Sequence, residues 1–195
     1  MRSPLSRFIV RVLAWLPVTF ALWYVAAPLL VWPAAWLTRA IAYTAFGDLV
    51  RSIDQARATL IFTSTVRPGL AAPTAAAVTV EVNTLLYAFG MPLFAALTLA
   101  AAESRRWMIL AIGYLALLPV VTWGALADFL KNIAITSGPL IASQTGFSAG
   151  QREVIAFAFQ FGSLILPTVI PAIAWVMTHR TFLLRMRGQP LEAPA

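Results

Sequence analysis

"VEVNTLLYAFGMPLFAALTLAAAESRR", residues 80–106, decides how the chain is read. Val80 and Val82 alternate with Glu81 and Asn83, the period of a strand whose two faces see different surroundings. From Leu85 to Ala102 no residue is charged at neutral pH, and the run then closes on Glu103, Arg105 and Arg106. A strand thus feeds directly into an apolar helix, with Glu81 and Asn83 at the joint. Asn83 stands where an N-cap belongs, its side-chain oxygen able to accept from the amides two and three residues on. Glu81 stands near the positive end of the helix dipole, where a carboxylate is favoured.

Composition extends that reading to the whole chain. Of 195 residues, 61% are hydrophobic and only 11% charged, against about 25% charged in a soluble domain. A water-facing surface needs more charge than this, so the chain reads as an integral membrane protein. Four apolar stretches approach the roughly 20 helical residues that cross a bilayer: 12–31, 85–102, 107–127 and 154–177. The first continues through Trp32 and Trp36 without a small-residue cleavage site, so it reads as a retained helix, not a signal peptide.

Charge then sets the expected topology. Arg2, Arg7, Arg11, Arg105, Arg106, Arg180, Arg185 and Arg187 fall on one side of these spans, against only Glu103 and Glu192. The other side nearly balances six basic residues against five acidic ones. Basic flanks stay cytoplasmic. The expected fold is a mainly α, four-helix transmembrane bundle in one membrane domain, 1–195, with both termini cytoplasmic. The net charge of +7 is then accounted for by arginines beside anionic membrane lipids, and nucleic acid is not an expected partner.

Between the spans, 33–47 keeps a helical pattern with Trp36 and Tyr43, which favour the headgroup level, and reads as an interfacial helix. Residues 48–83 carry the only soluble character. "RATLIFTSTV" (57–66) and "AVTVEVN" (77–83) alternate and are rich in β-branched residues, and "RPGLAAPT" (67–74) supplies a loop. Together they predict a small extracytoplasmic β-hairpin between helices 1 and 2. An isolated hairpin is marginal in water, so its apolar face must rest on the second outer loop, the membrane or a partner. That outer loop, 128–152, is too apolar for a free linker, and Ser148 and Gln151 have the spacing of a capping box. Residues 178–195 read as a cytoplasmic tail.

Reactive groups are sparse. There is no cysteine and one histidine, His179, so neither a metal site nor a thiolate nucleophile is expected, and no cofactor or catalytic residue is assigned. His179 reads as a headgroup contact or a favourable charge at a helix C-terminus. Asp128 and Lys131, three apart, predict an ion pair on one helix face. Gln160, inside an apolar helix, predicts an interhelical hydrogen bond. Ser163 has no evident base.

Trp15, Pro17, Trp23, Tyr24 and Pro28, with Glu81, Asn83, Tyr87, Gly90, Pro92 and Leu93 in the second block, give the chain its resemblance to the exosortase H-associated membrane protein family. Thr84 stands where that pattern carries proline. The resemblance implies a non-enzymatic accessory role in a protein-sorting system, with the exosortase or its C-terminal sorting-signal substrates as partners. Glu81, Asn83, Tyr87, Gly90 and Pro92 are the candidate partner contacts. Two other readings stand beside it: a membrane enzyme acting on lipid or glycan headgroups through outer carboxylates such as Asp128 and Glu81, which requires them to converge in one cavity, and a small transporter.

Overall fold

The computed structural model of the chain describes residues 4–67 and 77–186; most of the expected loop 67–74 and the tail beyond 186 lie outside the described residues. The fold is mainly helical, with one small sheet. Helix α1 runs from Pro4 to Ala45, followed by strands β1 (Val50–Ala56), β2 (Thr59–Ser64) and β3 (Thr79–Asn83). Then come α2 (Leu85–Ala88), α3 (Gly90–Ala101) and α4 (Arg106–Lys131), which continues as a π-helical turn over Asn132–Thr136. Short α5 (Pro139–Gln144) precedes α6 (Ala149–Gln160), a second π turn (Phe161–Ile165), α7 (Leu166–Thr178) and α8 (Arg180–Met186).

Among the described residues, three helices are long and apolar enough to cross a membrane: Pro4–Ala45, Arg106–Thr136 and Ala149–Thr178. The fourth expected span, 85–102, is a shorter apolar helix, Leu85–Ala101, with a turn at Phe89. At 1.5 Å per residue it covers about 26 Å, less than the hydrocarbon thickness of about 30 Å. Helix α1 has the opposite excess. Its 42 residues span about 63 Å, roughly twice that thickness.

Residues 33–47 therefore do not begin a separate helix. Pro17, Pro28 and Pro33 all lie inside α1, and the second half of that helix serves the sheet. The sheet has three strands in the order β1-β2-β3, all antiparallel, where a two-stranded hairpin was expected. The arms β2 and β3 pair as the alternation requires: Leu60 faces Val82, Phe62 faces Val80 and Ile61 faces Glu81. Leu60, Phe62, Val80 and Val82 are buried, and Glu81 and Asn83 are exposed. The additional strand, "VRSIDQA", buries Val50 and Ile53, three apart, and its register slips between Val50 and Ser52. That irregularity erases the two-residue period by which a strand is recognised.

The chain divides into two compact units. One contains residues 27–88 and 118–167, and its core is the buried face of the sheet. Phe62 stacks on Phe129 of α4 at 4.5 Å. The exposed edge of β1 is covered by α1: Arg39 Nε donates to the Ile53 carbonyl at 2.9 Å, and the Ile53 amide donates to the Tyr43 hydroxyl at 3.2 Å. Gln55 Nε2 donates to the Pro28 carbonyl at 2.9 Å. At the joint with α2, the Thr84 amide and hydroxyl both donate to the Ala58 carbonyl; the amide bond is one a proline here could not form. The expected outer loop 128–152 is mostly helical, and Gln144 exchanges two hydrogen bonds with the Arg67 main chain, at 2.8 and 3.2 Å. Ser148 and Gln151 form the expected capping box.

The other unit contains residues 1–26, 89–117 and 168–195. Within its described part, Phe94 of α3 lies against Gly113 of α4, where a Cβ would stand 2.1 Å from the ring. Phe8 of α1 packs on Trp175 of α7 at 5.6 Å and on Phe182 of α8 at 5.2 Å. Arg180–Met186 is thus a helix where a tail was expected.

Close helix approach depends on glycine at one further point. A Cβ on Gly124 would meet the Tyr87 ring at 2.2 Å. Gly124→Val should lower stability by about 1–3 kcal/mol, the usual cost of overpacking, read as a lower thermal unfolding midpoint in detergent.

Candidate interaction site

Tyr87 reaches α4 because Gly124 leaves its ring a seat, and its hydroxyl hydrogen-bonds to Asp128. Asp128 also accepts from Lys131 Nζ at 3.1 Å, the ion pair expected from their spacing, and from Asn132 Nδ2 at 2.9 Å. Lys131 lies over the Phe159 ring at 4.0 Å. One carboxylate thus joins α2, α4 and the π turn after α4, and a cation–π contact extends the cluster to α6. Beside it, Trp123 donates from its indole nitrogen to the Ala158 carbonyl at 3.0 Å. That carbonyl lies just before the π turn at Phe161, where i→i+5 winding displaces the usual ladder. Gly162 makes room for the same indole.

The five candidate contacts separate by burial. Glu81 and Asn83 are exposed, and Asn83 caps the helix as expected, its Oδ1 accepting from the Leu85 amide at 3.1 Å. Tyr87, Gly90 and Pro92 are buried. They present no surface to a partner in this conformation, because the aromatic ring is consumed by Gly124 and Asp128 and the other two by the packing of α3. Gly90 and Pro92 also fall in the unit that does not contain Tyr87.

What the residue-by-residue reading missed is a groove of about 670 Å³ in the sheet-containing unit. Leu37 and Ile41 of α1 form one wall, Val154, Ile155 and Ala158 of α6 the other, and Trp123 and Leu126 of α4 the floor. Its lining is almost wholly apolar; Thr122 and Gln151 are the polar residues on it. No local motif announces such a groove, since three helices distant in sequence build it. Neither Glu81 nor Asp128 lines it, so the two carboxylates do not converge there. Gln160 is exposed on its helix. Its side chain makes no hydrogen bond among the described residues, so the interhelical bond expected of it is not formed there.

In the other unit, His179 is fully buried, not set against headgroups. Its ring stacks on Trp175 at 5.2 Å, and Nδ1 lies 3.1 Å from the Trp175 carbonyl, which assigns the proton to that nitrogen. Burial pushes the imidazole below its ordinary pKa, against the opposing pull of the Trp175 carbonyl and the Glu103 carboxylate.

A family model described as "Exosortase H-associated membrane protein" matches residues 2–182. The chain belongs to that family. No curated protein and no solved structure matches it.

Two measurements probe these clusters. Tyr87→Phe keeps the ring and removes only the bond to Asp128, so it should cost about 1–3 kcal/mol, while Tyr87→Ala should cost more because it also leaves a cavity. For His179, the unfolded chain takes up a proton near pH 6.5, while the folded chain resists it to lower pH. The unfolded state therefore binds more protons in that window, and stability should fall as pH drops through it. His179→Gln should flatten that part of the melting-temperature profile.

Proposed function

We propose that this member of the exosortase H-associated membrane protein family is a non-enzymatic accessory subunit of a protein-sorting system in the bacterial inner membrane. It would receive an apolar transmembrane segment of the exosortase in the groove between α1 and α6. The groove is the observation that carries this reading. A membrane protein closes such a concavity with its own side chains unless something else fills it, and here Leu37, Ile41, Val154 and Ala158 leave a long apolar bed. Gln160 supports the same reading. An amide on an apolar helix gains an interhelical bond worth about 0.6–2 kcal/mol when a partner supplies the other half, and among the described residues it has none.

Orientation follows from charge. Arg7, Arg11, Arg105, Arg106 and Arg180 belong to one unit, whose described carboxylate is Glu103 alone, whereas the sheet-containing unit mixes both signs. On the positive-inside principle the first unit faces the cytoplasm. Helix α1, too long to lie wholly within hydrocarbon, then carries the sheet beyond the outer surface, with Glu81 and Asn83 available to the extracytoplasmic part of a partner.

Photocrosslinkers placed singly at Ile41, Val154 and Glu81 in intact cells test this. Ile41 and Val154 should capture the exosortase, while Leu115, an exposed apolar position in the other unit, should not. Ile41→Trp should obstruct the groove and reduce processing of sorted substrates. Unchanged processing after deletion of the whole protein overturns the accessory role.

A further inference from the structure

Helix α1 opens with two cations that have no neutralising partner among the described residues. Arg7 and Arg11 are four residues apart in a continuous helix, so they project from one face as neighbours. Like charges at that spacing are unfavourable unless an anion lies between them. Neither makes an ion pair or hydrogen bond among the described residues. The one described carboxylate of their unit, Glu103, accepts from Thr181 Oγ1 at 3.4 Å.

These two side chains also border a cavity. A pocket of about 270 Å³ is lined by Arg7 and Arg11 with Phe8 on α1, Ala100 on α3, and Phe182 and Met186 on α8. Its walls therefore have two characters, cationic along one turn of α1 and apolar elsewhere. Phe8 and Phe182 are fixed by their mutual contact at 5.2 Å and by Trp175, which lies 5.6 Å from Phe8 and 6.3 Å from Phe182. The apolar wall is thus a packed surface, not a pair of loose side chains.

We infer that this pocket is a binding site for one anionic glycerophospholipid, with its phosphodiester between Arg7 and Arg11 and the start of an acyl chain on Phe8, Phe182 and Met186. Guanidinium groups match phosphate oxygens with directed, charge-assisted hydrogen bonds. Basic pockets between membrane helices hold anionic headgroups in this manner. The apolar wall selects the lipid over free phosphate, because a hydrated inorganic anion gains nothing from Phe182 or Met186. The site differs from a general attraction of basic flanks to the membrane in being concave and in depending on two named residues. It does not rest on the accessory role proposed above.

The test uses the full chain in phosphatidylcholine nanodiscs containing a minority of phosphatidylglycerol, with bound lipid counted by native mass spectrometry after release. The protein should retain phosphatidylglycerol over phosphatidylcholine by about tenfold or more, as two cations at the surface allow. R7Q/R11Q should erase that preference. R105Q/R106Q removes the same charge from residues outside the pocket and should preserve it, and F182A should weaken retention while leaving all charges in place. The proposal is overturned if both arginine pairs matter equally, which means diffuse attraction. It is also overturned if R7Q/R11Q keeps the preference, or if millimolar inorganic phosphate displaces the lipid.

Discussion

A strand at the margin of a sheet has main-chain donors and acceptors with no neighbour, and beside a membrane that deficit cannot be left to water alone. In this protein α1 makes up the deficit. Arg39 and Tyr43 meet the carbonyl and amide of Ile53, and Gln55 reaches back to the Pro28 carbonyl. These few bonds attach the sheet to a helix that would otherwise have no reason to extend so far. They also fix the direction of the remaining faces of α1, and one of those faces, through Leu37 and Ile41, becomes a wall of the groove. Edge protection and groove construction are two uses of the same 42-residue helix.

Much of this was legible in the residues themselves. Alternation over 77–83 marked β3, Asn83 marked the start of the next helix, and the spacing of Asp128 and Lys131 marked their pair. Each of these is a local signal, decided within four residues. Errors arose where a local sign was overridden by tertiary contacts. Trp36 and Tyr43 suggested a separate interfacial helix over 33–47, yet α1 runs on through it, its second half held by the sheet. Polar Asp54 and Gln55 hid β1, since its inward residues repeat at three and not at two. Tyr87 drew attention through the family resemblance, as a candidate partner contact. Its partner Asp128 lies forty-one positions away, so its role as a buried link was not visible from its neighbourhood. His179 looked like a surface cation only because the aromatic cluster of Phe8, Trp175 and Phe182 is assembled from both ends of the chain.

The two compact units divide the physical tasks. In one, arginines outnumber a single described carboxylate and the cavity is small, with a cationic side. In the other, charge is balanced, buried polar groups are paired around Asp128, and the large groove is apolar.

The seat that Gly124 provides for Tyr87 has a consequence for inheritance. A Cβ at 124 has no space while an aromatic ring occupies 87, and a small residue at 87 would leave an empty seat and take one partner from the carboxylate at 128. Neither position can drift alone. Across relatives, the identities at 87, 124 and 128 should change in concert or not at all, so that three residues scattered over two helices descend as a single character.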